Sequence, residues 1–330
     1  MAPSSAVDGV LVQWGERLFY PRNRIVKVAP LPRLDTLVRR QAALIRRRIE
    51  AIVTRRAPQV MVKVTGGGRG MGAIAAHFRY ISKNGRLAFE DDRGVVHQDK
   101  EALHDLDEQW RLGGSLIGDT SPRREAFNLM LSMPRGTDAQ IVLRAAREFA
   151  QIELKEHRYV MVLHEHQENP HVHLSVRAES MDGKRLNPRK VDLHRWRETF
   201  AERLRGYGVE AEATRQATRG EGRRFENLWQ RKARQDGRLR NVAEPVKSGD
   251  AYQRSRIGAL EAWAHIVTAL RSSDQASDHE LAKRIGSFIR ESTFAKELGR
   301  QRGREVRARQ VARQVQPIVS RDQPGPEMER

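Results

Sequence analysis

Cysteine is absent from the 330 residues, which excludes a disulfide framework and any thiolate nucleophile or ligand. Also missing is an apolar run approaching the length of a membrane span. The N-terminus carries no basic segment followed by an apolar core, so the expectation is a soluble cytoplasmic protein with no membrane segment. Acidic residues are scarce beside basic ones, 42 against 61, which leaves a net charge of +19 and a pI near 10.9. The excess is largely arginine, whose forked guanidinium pairs with phosphate, and nucleic acid is the partner this predicts. The length suffices for one sizeable core plus a smaller helical region or tail.

Histidine, by contrast, is concentrated. Four of the eleven histidines fall within HEHQENPHVHL, residues 164–174. The preceding RYVMVLHE reads as a strand, HVHLSVRA alternates like a second, and Gln167 to Pro170 between them are turn residues. An antiparallel hairpin over that turn sets His164 opposite His171. Side chains alternate with period two, so His171, His173 and an opposed His164 share one face. Three neutral imidazoles at one point predict a divalent metal centre, catalytic with open coordination positions or structural. Polar strand residues on a solvated face are the bland alternative, which this phasing disfavours.

The H-x-H after a proline turn, with a third histidine seven positions upstream, resembles the metal motif of conjugative relaxases of the mobilisation P class, and in particular the VirD-type relaxase that nicks T-DNA borders. That family carries a catalytic tyrosine upstream of its histidines. Tyr80 matches it, in the context Tyr80-Ile81-Ser82-Lys83-Asn84-Gly85 at the end of a helix read over 71–83. Ile74, Phe78 and Ile81 form the apolar stripe of that helix, so Tyr80 faces elsewhere, near His77 and Asn84. The strand and loop at 125–138 resemble the second motif, in which Ser132 matches a serine that helps hold DNA beside the nick. Asn128 stands where several relatives have histidine. VDLHRWRETFAERLRGYG and the Ala-Thr-Arg-rich stretch after it continue the likeness, which spans about residues 60–225.

The resemblance implies an HUH-endonuclease relaxase fold: an α/β sandwich with a mainly antiparallel sheet of about five strands flanked by helices, plus a helical C-terminal region. The expected organisation is a basic helical extension over 1–58, the nuclease domain over 59–225 and an arginine-rich helical region over 226–330. The first 34 residues suggest no role. A helix from Asp35 to Arg56 would bury Leu37, Ala42, Ile45, Ile49 and Val53 and turn a mostly arginine face outward, either to solvent or to DNA. The run TGGGRGMGA reads as a flexible connection through which backbone approaches phosphate.

By the same resemblance Tyr80 is the nucleophile, and His164, His171 and His173 hold Mg²⁺ or Mn²⁺ that polarises the phosphate. Ser132, Arg79, Lys83 and Arg185 contact DNA. The implied product is a 5′-phosphotyrosyl linkage with a free 3′ hydroxyl, made on single-stranded DNA at an origin of transfer in a bacterial cytoplasm. Relaxosome accessory proteins and a type IV secretion coupling protein are the implied partners. A phenol ordinarily ionises near about pH 10, so a base is needed. Relatives often have aspartate two residues after the first histidine, where this chain has His166. His166, Glu165 and Glu168 are the candidates for a base or orienting group. Tyrosine before histidines favours a relaxase over replication initiators and small transposases, which have the histidines first. Two competing readings are a histidine-type phosphohydrolase, disfavoured because Ser175 breaks the alternation, and a noncatalytic DNA-binding accessory with a structural metal site.

Overall fold

Alternation of apolar and polar residues builds the central sheet. In the computed structural model, which describes residues 4–20, 36–165, 167–222, 233–234, 236–238 and 249–299, the strands are β1 (Met61–Gly66), β2 (Phe89–Asp91), β3 (Val96–His97), β4 (Ala126–Ser132), β5 (Tyr159–His164) and β6 (His171–Arg177). They form one six-stranded sheet in the order β1-β4-β6-β5-β2-β3, with every neighbouring pair antiparallel. About five strands were expected and six are present, two of them the short β2–β3 hairpin at one edge.

The period-two pattern gives the sheet two different faces. Phe127, Leu129 and Leu131 of β4 and Val172, Leu174 and Val176 of β6 point one way. They meet α5 (Ala139–Glu153) and α6 (Lys190–Gly206). On α5 the apolar residues Val142, Ala145, Ala146 and Phe149 recur at helical spacing, and the Asp138 side chain caps the first turn by accepting from Gln140 N at 2.7 Å. On the other face lie α3 (Met71–Ile81) and α4 (Lys100–Leu112). Ile74, Phe78 and Ile81 pack there with Trp110, Val160 and Val162, the Phe78 and Trp110 rings edge to face at 4.9 Å.

A third core joins the two ends of the chain. Helices α1 (Ser4–Phe19), α2 (Thr36–Val53), α7 (Asp250–Ser272) and α8 (Ala276–Glu291) bury Leu11, Ile45, Ile49, Trp263, Ile266 and Ile285 among themselves. Residues of the unassigned N-terminal segment therefore form a helix whose Val7, Leu11 and Leu18 face that core. Arg48 of α2 fixes this unit to the sheet domain: it donates to Glu198 of α6 at 2.8 Å and to Glu212 at 3.1 Å. Although burial works against its charge, the two carboxylates hold its pKa above the ordinary arginine value.

Three expectations need correction. Leu37 is 63% exposed, because it sits in the first turn of α2 and reaches no neighbour in the core. Arg48, on the arginine-rich face, is buried in the ion network above and is neither solvated nor open to DNA. The glycine run is no flexible phosphate loop: Gly68 N donates to Ala126 O at 3.1 Å and Gly68 O accepts from Glu125 N at 2.8 Å. A Cβ at Gly67 would run into the Ala126 carbonyl, and one at Gly70, where φ is +97°, into that of Asp119. These glycines allow close backbone packing against residues 118–126. The expected Asp35 cap of α2 and the arginine-rich end from Gln301 lie outside the described residues.

His194 of α6 reports on the joint between the two units. Burial, with Arg48, Arg197 and Arg215 nearby, lowers its pKa from 6.5 to about 4, while Glu198 stands 3.7 Å away but is engaged by Arg48. The unfolded histidine takes up a proton below pH 6.5 and the folded one only near 4. Stability is therefore fully present above 6.5 and falls as the pH drops from there towards 4. His194→Gln is expected to flatten that part of the pH dependence of the unfolding midpoint.

Candidate active site

The site is set by strand register. His164 pairs directly with His171 across β5–β6, and His171 pairs with Ser132 and His173 with Met130 across β6–β4. Because opposed residues share a face, His164, His171, His173 and Ser132 all project towards α3 and α4. The three imidazole rings have centroids 4.7 to 5.0 Å apart. One ligand nitrogen from each lies within 4.8 Å of the others.

Backbone carbonyls orient two of the rings. His164 Nε2 lies 2.7 Å from the carbonyl of Ile81, and His171 Nδ1 lies 2.9 Å from that of Asn169. A carbonyl only accepts, so these nitrogens carry the protons and the lone pairs reside on His164 Nδ1 and His171 Nε2. His173 is kept neutral down to strongly acid pH: burial first, then the other imidazoles including His77, lower its pKa to about 3. Its Nδ1 is buried without a hydrogen-bond partner among the described residues. Three convergent imidazoles, two of them backed by backbone carbonyls, have the donor chemistry of a transition-metal site with open positions.

Tyr80 stands beside this cluster. It is the penultimate residue of α3 and is 68% exposed. It lines a cleft of about 520 Å³ together with His164, Arg79, Lys83 and Gln167. The contact from His164 to Ile81, the next residue after the tyrosine, ties the end of α3 to the imidazole cluster. Ser132 is buried next to His171, its hydroxyl 3.3 Å from the Pro170 carbonyl.

Residues 80–209 match the family model Relaxase: MobA/VirD2-like, nuclease domain. That stretch is therefore similar to relaxase nuclease domains. The match begins at Tyr80 and runs through the histidine hairpin and α6. No curated protein matches the chain. The mixed α/β architecture, with its antiparallel sheet flanked by helices, is consistent with a relaxase nuclease fold. Among the described residues no helix is long and apolar enough to cross a membrane.

The other candidates are distributed unevenly. Arg79 lies by the cleft, with an Asp107 carboxylate 3.5 Å away, and Lys83 is exposed one turn after Tyr80. Arg185 is not brought to the site: it is held by Glu125 at 3.2 Å and Glu179 at 3.4 Å, beyond the end of β6 that lies away from His171. Glu165 is exposed and, by alternation, points away from His164; Glu168 lies 3.9 Å from Arg135 in the hairpin turn. His166 lies outside the described residues. Tyr159 is buried in the core, and Tyr207 packs against it with its hydroxyl donating to Glu148, as befits packing residues.

His77, near Tyr80 by helical spacing, gains a second neighbour from the tertiary structure. Its ring stacks on that of Tyr80 at 6.2 Å and meets that of His173 at 6.4 Å, so it stands between the tyrosine and the cluster. Burial lowers its pKa, and its Nε2 is buried without a partner among the described residues. Its position three residues before Tyr80, one helical turn away, was the available signal.

The link from His164 to α3 carries a stability prediction. His164→Ala leaves the Ile81 carbonyl without this donor and is expected to cost about 1–3 kcal/mol in urea denaturation of the metal-free protein. A variant as stable as the parent would show that the contact does not hold α3.

Proposed function

We propose that this protein nicks one DNA strand at an origin of transfer through attack by Tyr80 on the scissile phosphodiester. Likeness to relaxase nuclease domains supports DNA nicking and mobilisation in general. The observation that carries the finer reading is the exposed Tyr80 and His164 lining one cleft, with His171 and His173 grouped behind it. In the step itself the Tyr80 oxygen forms a bond to phosphorus and the bond from phosphorus to the 3′ oxygen breaks. The phenol loses its proton and the departing 3′ oxygen gains one. The products are a 5′-phosphotyrosyl linkage and a free 3′ hydroxyl, and one phosphodiester-like bond replaces another, so rejoining needs no further energy source.

His164, His171 and His173 are the residues that would hold a divalent metal. When bound, such an ion supplies Lewis-acid polarisation of a nonbridging phosphate oxygen. An all-imidazole donor set suits a transition-metal dication better than Mg²⁺, which makes Mn²⁺ the better of the two expected ions. Ser132 beside His171, together with Arg79 and Lys83 beside Tyr80, would hold the strand, while Arg185 is better suited to bracing the far end of the sheet. The proton acceptor is assigned to no residue: His166, Glu165 and Glu168 remain the candidates named from sequence. Transfer of the attached strand would require accessory proteins at the origin and a secretion coupling protein.

The test is incubation of the protein and its Tyr80→Phe variant with single strands from the DNA flanking its own gene, with Mg²⁺ or Mn²⁺, followed by a denaturing gel. A labelled adduct that survives denaturant, requires the ion and disappears in the variant is the expected result. Mn²⁺ is expected to support it at lower concentration than Mg²⁺. Cleavage that persists in Tyr80→Phe, or tight binding with no adduct on any strand, would overturn the mechanism and favour a noncatalytic DNA-binding role.

A further inference from the structure

The helix that presents Tyr80 ends in an unusual way. Many helices end with one residue in the left-handed conformation, commonly glycine. Here three follow in succession: Lys83 at φ 50°, Asn84 at 58° and Gly85 at 81°. Two of them carry side chains, and a left-handed residue with a Cβ costs about 1–2 kcal/mol. Such cost persists where surrounding structure enforces it, and it marks functional sites more often than ordinary turns.

The surroundings do enforce it. Asn84 N donates to Arg79 O at 2.8 Å, and Asp99 N donates to Gly85 O at 3.0 Å. Gly85 N donates to the buried Ser82 hydroxyl at 3.1 Å, which in turn donates to Phe78 O at 2.7 Å. A Cβ on Gly85 would run into the Asp99 carbonyl, so the turn is clamped against the start of α4. Ser82 and Gly85 face inward, and Lys83, Asn84 and Arg86 are exposed.

Two clefts meet on this turn. The one holding Tyr80 and His164 shares Asn84 and Arg86 with a second, of about 530 Å³, that ends at Asp99 and Lys100. Among the described residues neither Lys83, Arg86 nor Lys100 pairs with a carboxylate, and Asp99 uses its own to cap α4 by accepting from Ala102 N at 2.8 Å. We infer that residues 83–86 form a rigid ridge binding the phosphate backbone of single-stranded DNA, which passes from Tyr80 over Asn84 and Arg86 to Lys100. This extends the substrate-binding surface from the nick itself along the adjoining nucleotides, and it rests on the reading of the protein as a single-strand nuclease. The left-handed backbone has a purpose in this arrangement. It splays consecutive side chains outward at the point where an α-helical continuation would have turned half of them into the core.

The experiment is fluorescence anisotropy of a labelled single-stranded oligonucleotide from the DNA flanking the gene. It is titrated with the full chain in chelator, so that no cleavage occurs, at a series of salt concentrations. Arg86→Gln and Lys100→Gln are each expected to flatten the slope of log affinity against log salt by about 0.7, the share of one phosphate on a single strand. Lys155→Gln, at the end of β5 away from His164, is the control that keeps the parent slope. Asn84→Gly keeps the positive φ, removes the side chain and is expected to weaken binding about threefold to tenfold. Its unfolding midpoint is expected to be no lower than the parent's, which separates lost contact from lost fold. Parent-like slopes in both charge variants, with parent-like affinity in Asn84→Gly, would overturn the ridge while leaving the nuclease reading intact. Failure of the parent protein to bind any single strand would instead overturn the nuclease reading on which the ridge rests.

Discussion

The pairing of His164 with His171 across the β5–β6 hairpin is the constraint on which the site depends. A strand displaced by one residue sends every side chain to the opposite face. One slip would therefore bury the imidazoles against α5 and α6 and turn Val172, Leu174 and Val176 towards α3. The register is held from both sides, since β6 lies between β4 and β5, with seven pairs to the first and six to the second. Leu129, Leu131, Leu174 and Val176 are fully buried, so exposing them would forfeit roughly 1.5–3 kcal/mol for each side chain. The aliphatic core beneath the sheet thus fixes the geometry of the polar cluster above it.

The nucleophile candidate is placed by different means. Tyr80 sits on a helix whose opposite stripe, Ile74, Phe78 and Ile81, is buried, so its exposure follows from helical phase. Two attachments then fix the end of that helix. Beneath, the Ile81 carbonyl meets His164; beyond, the left-handed turn is clamped to Asp99. A flexible tyrosine on a loop would lose the benefit of proximity, which depends on holding reacting groups in a narrow range of positions. The exposed phenol and His164 line one cleft, with His171 and His173 grouped behind it.

How much of this was legible in the sequence varies with the range of the interaction. The hairpin and its register are local: His171 follows His164 by seven positions, and proline and asparagine mark the turn. Tyr80 could be read because its helix stripe and its neighbours agreed. Pairing of α1 with α7 could not, because residues near Leu11 and Trp263 approach across some 250 positions and nothing in either helix names its partner. Arg48 looked like one member of an arginine-rich face, and only the approach of Glu198 and Glu212 distinguishes it. The glycines at 66–70 illustrate a different limit: glycine serves both mobile loops and tight backbone contacts, and the strand that presses on Gly67 lies nearly 60 residues away. His77 was visible one turn before Tyr80, but its significance arises from His173, which tertiary structure brings alongside.

The helical unit built from both chain ends bears on how the sheet domain is stabilised. Breaking one partner of a buried ion pair costs about 3–5 kcal/mol, because the remaining charge is stranded away from water. Arg48 is buried with two carboxylates, and Arg46 bridges Asp8 of α1 at 2.9 Å and Asp278 of α8 at 3.1 Å. Replacing such groups by aliphatics of similar volume would often be neutral for stability, so their presence does more for specificity of docking than for its strength. Arg46 can satisfy both acids only when α1, α2 and α8 are all in place, and Arg48 only when α2 meets α6. The two arginines stand two residues apart on one helix, on different sides of it, and face different partners, so α2 couples assembly of the end-to-end helical unit to the domain that carries the histidines.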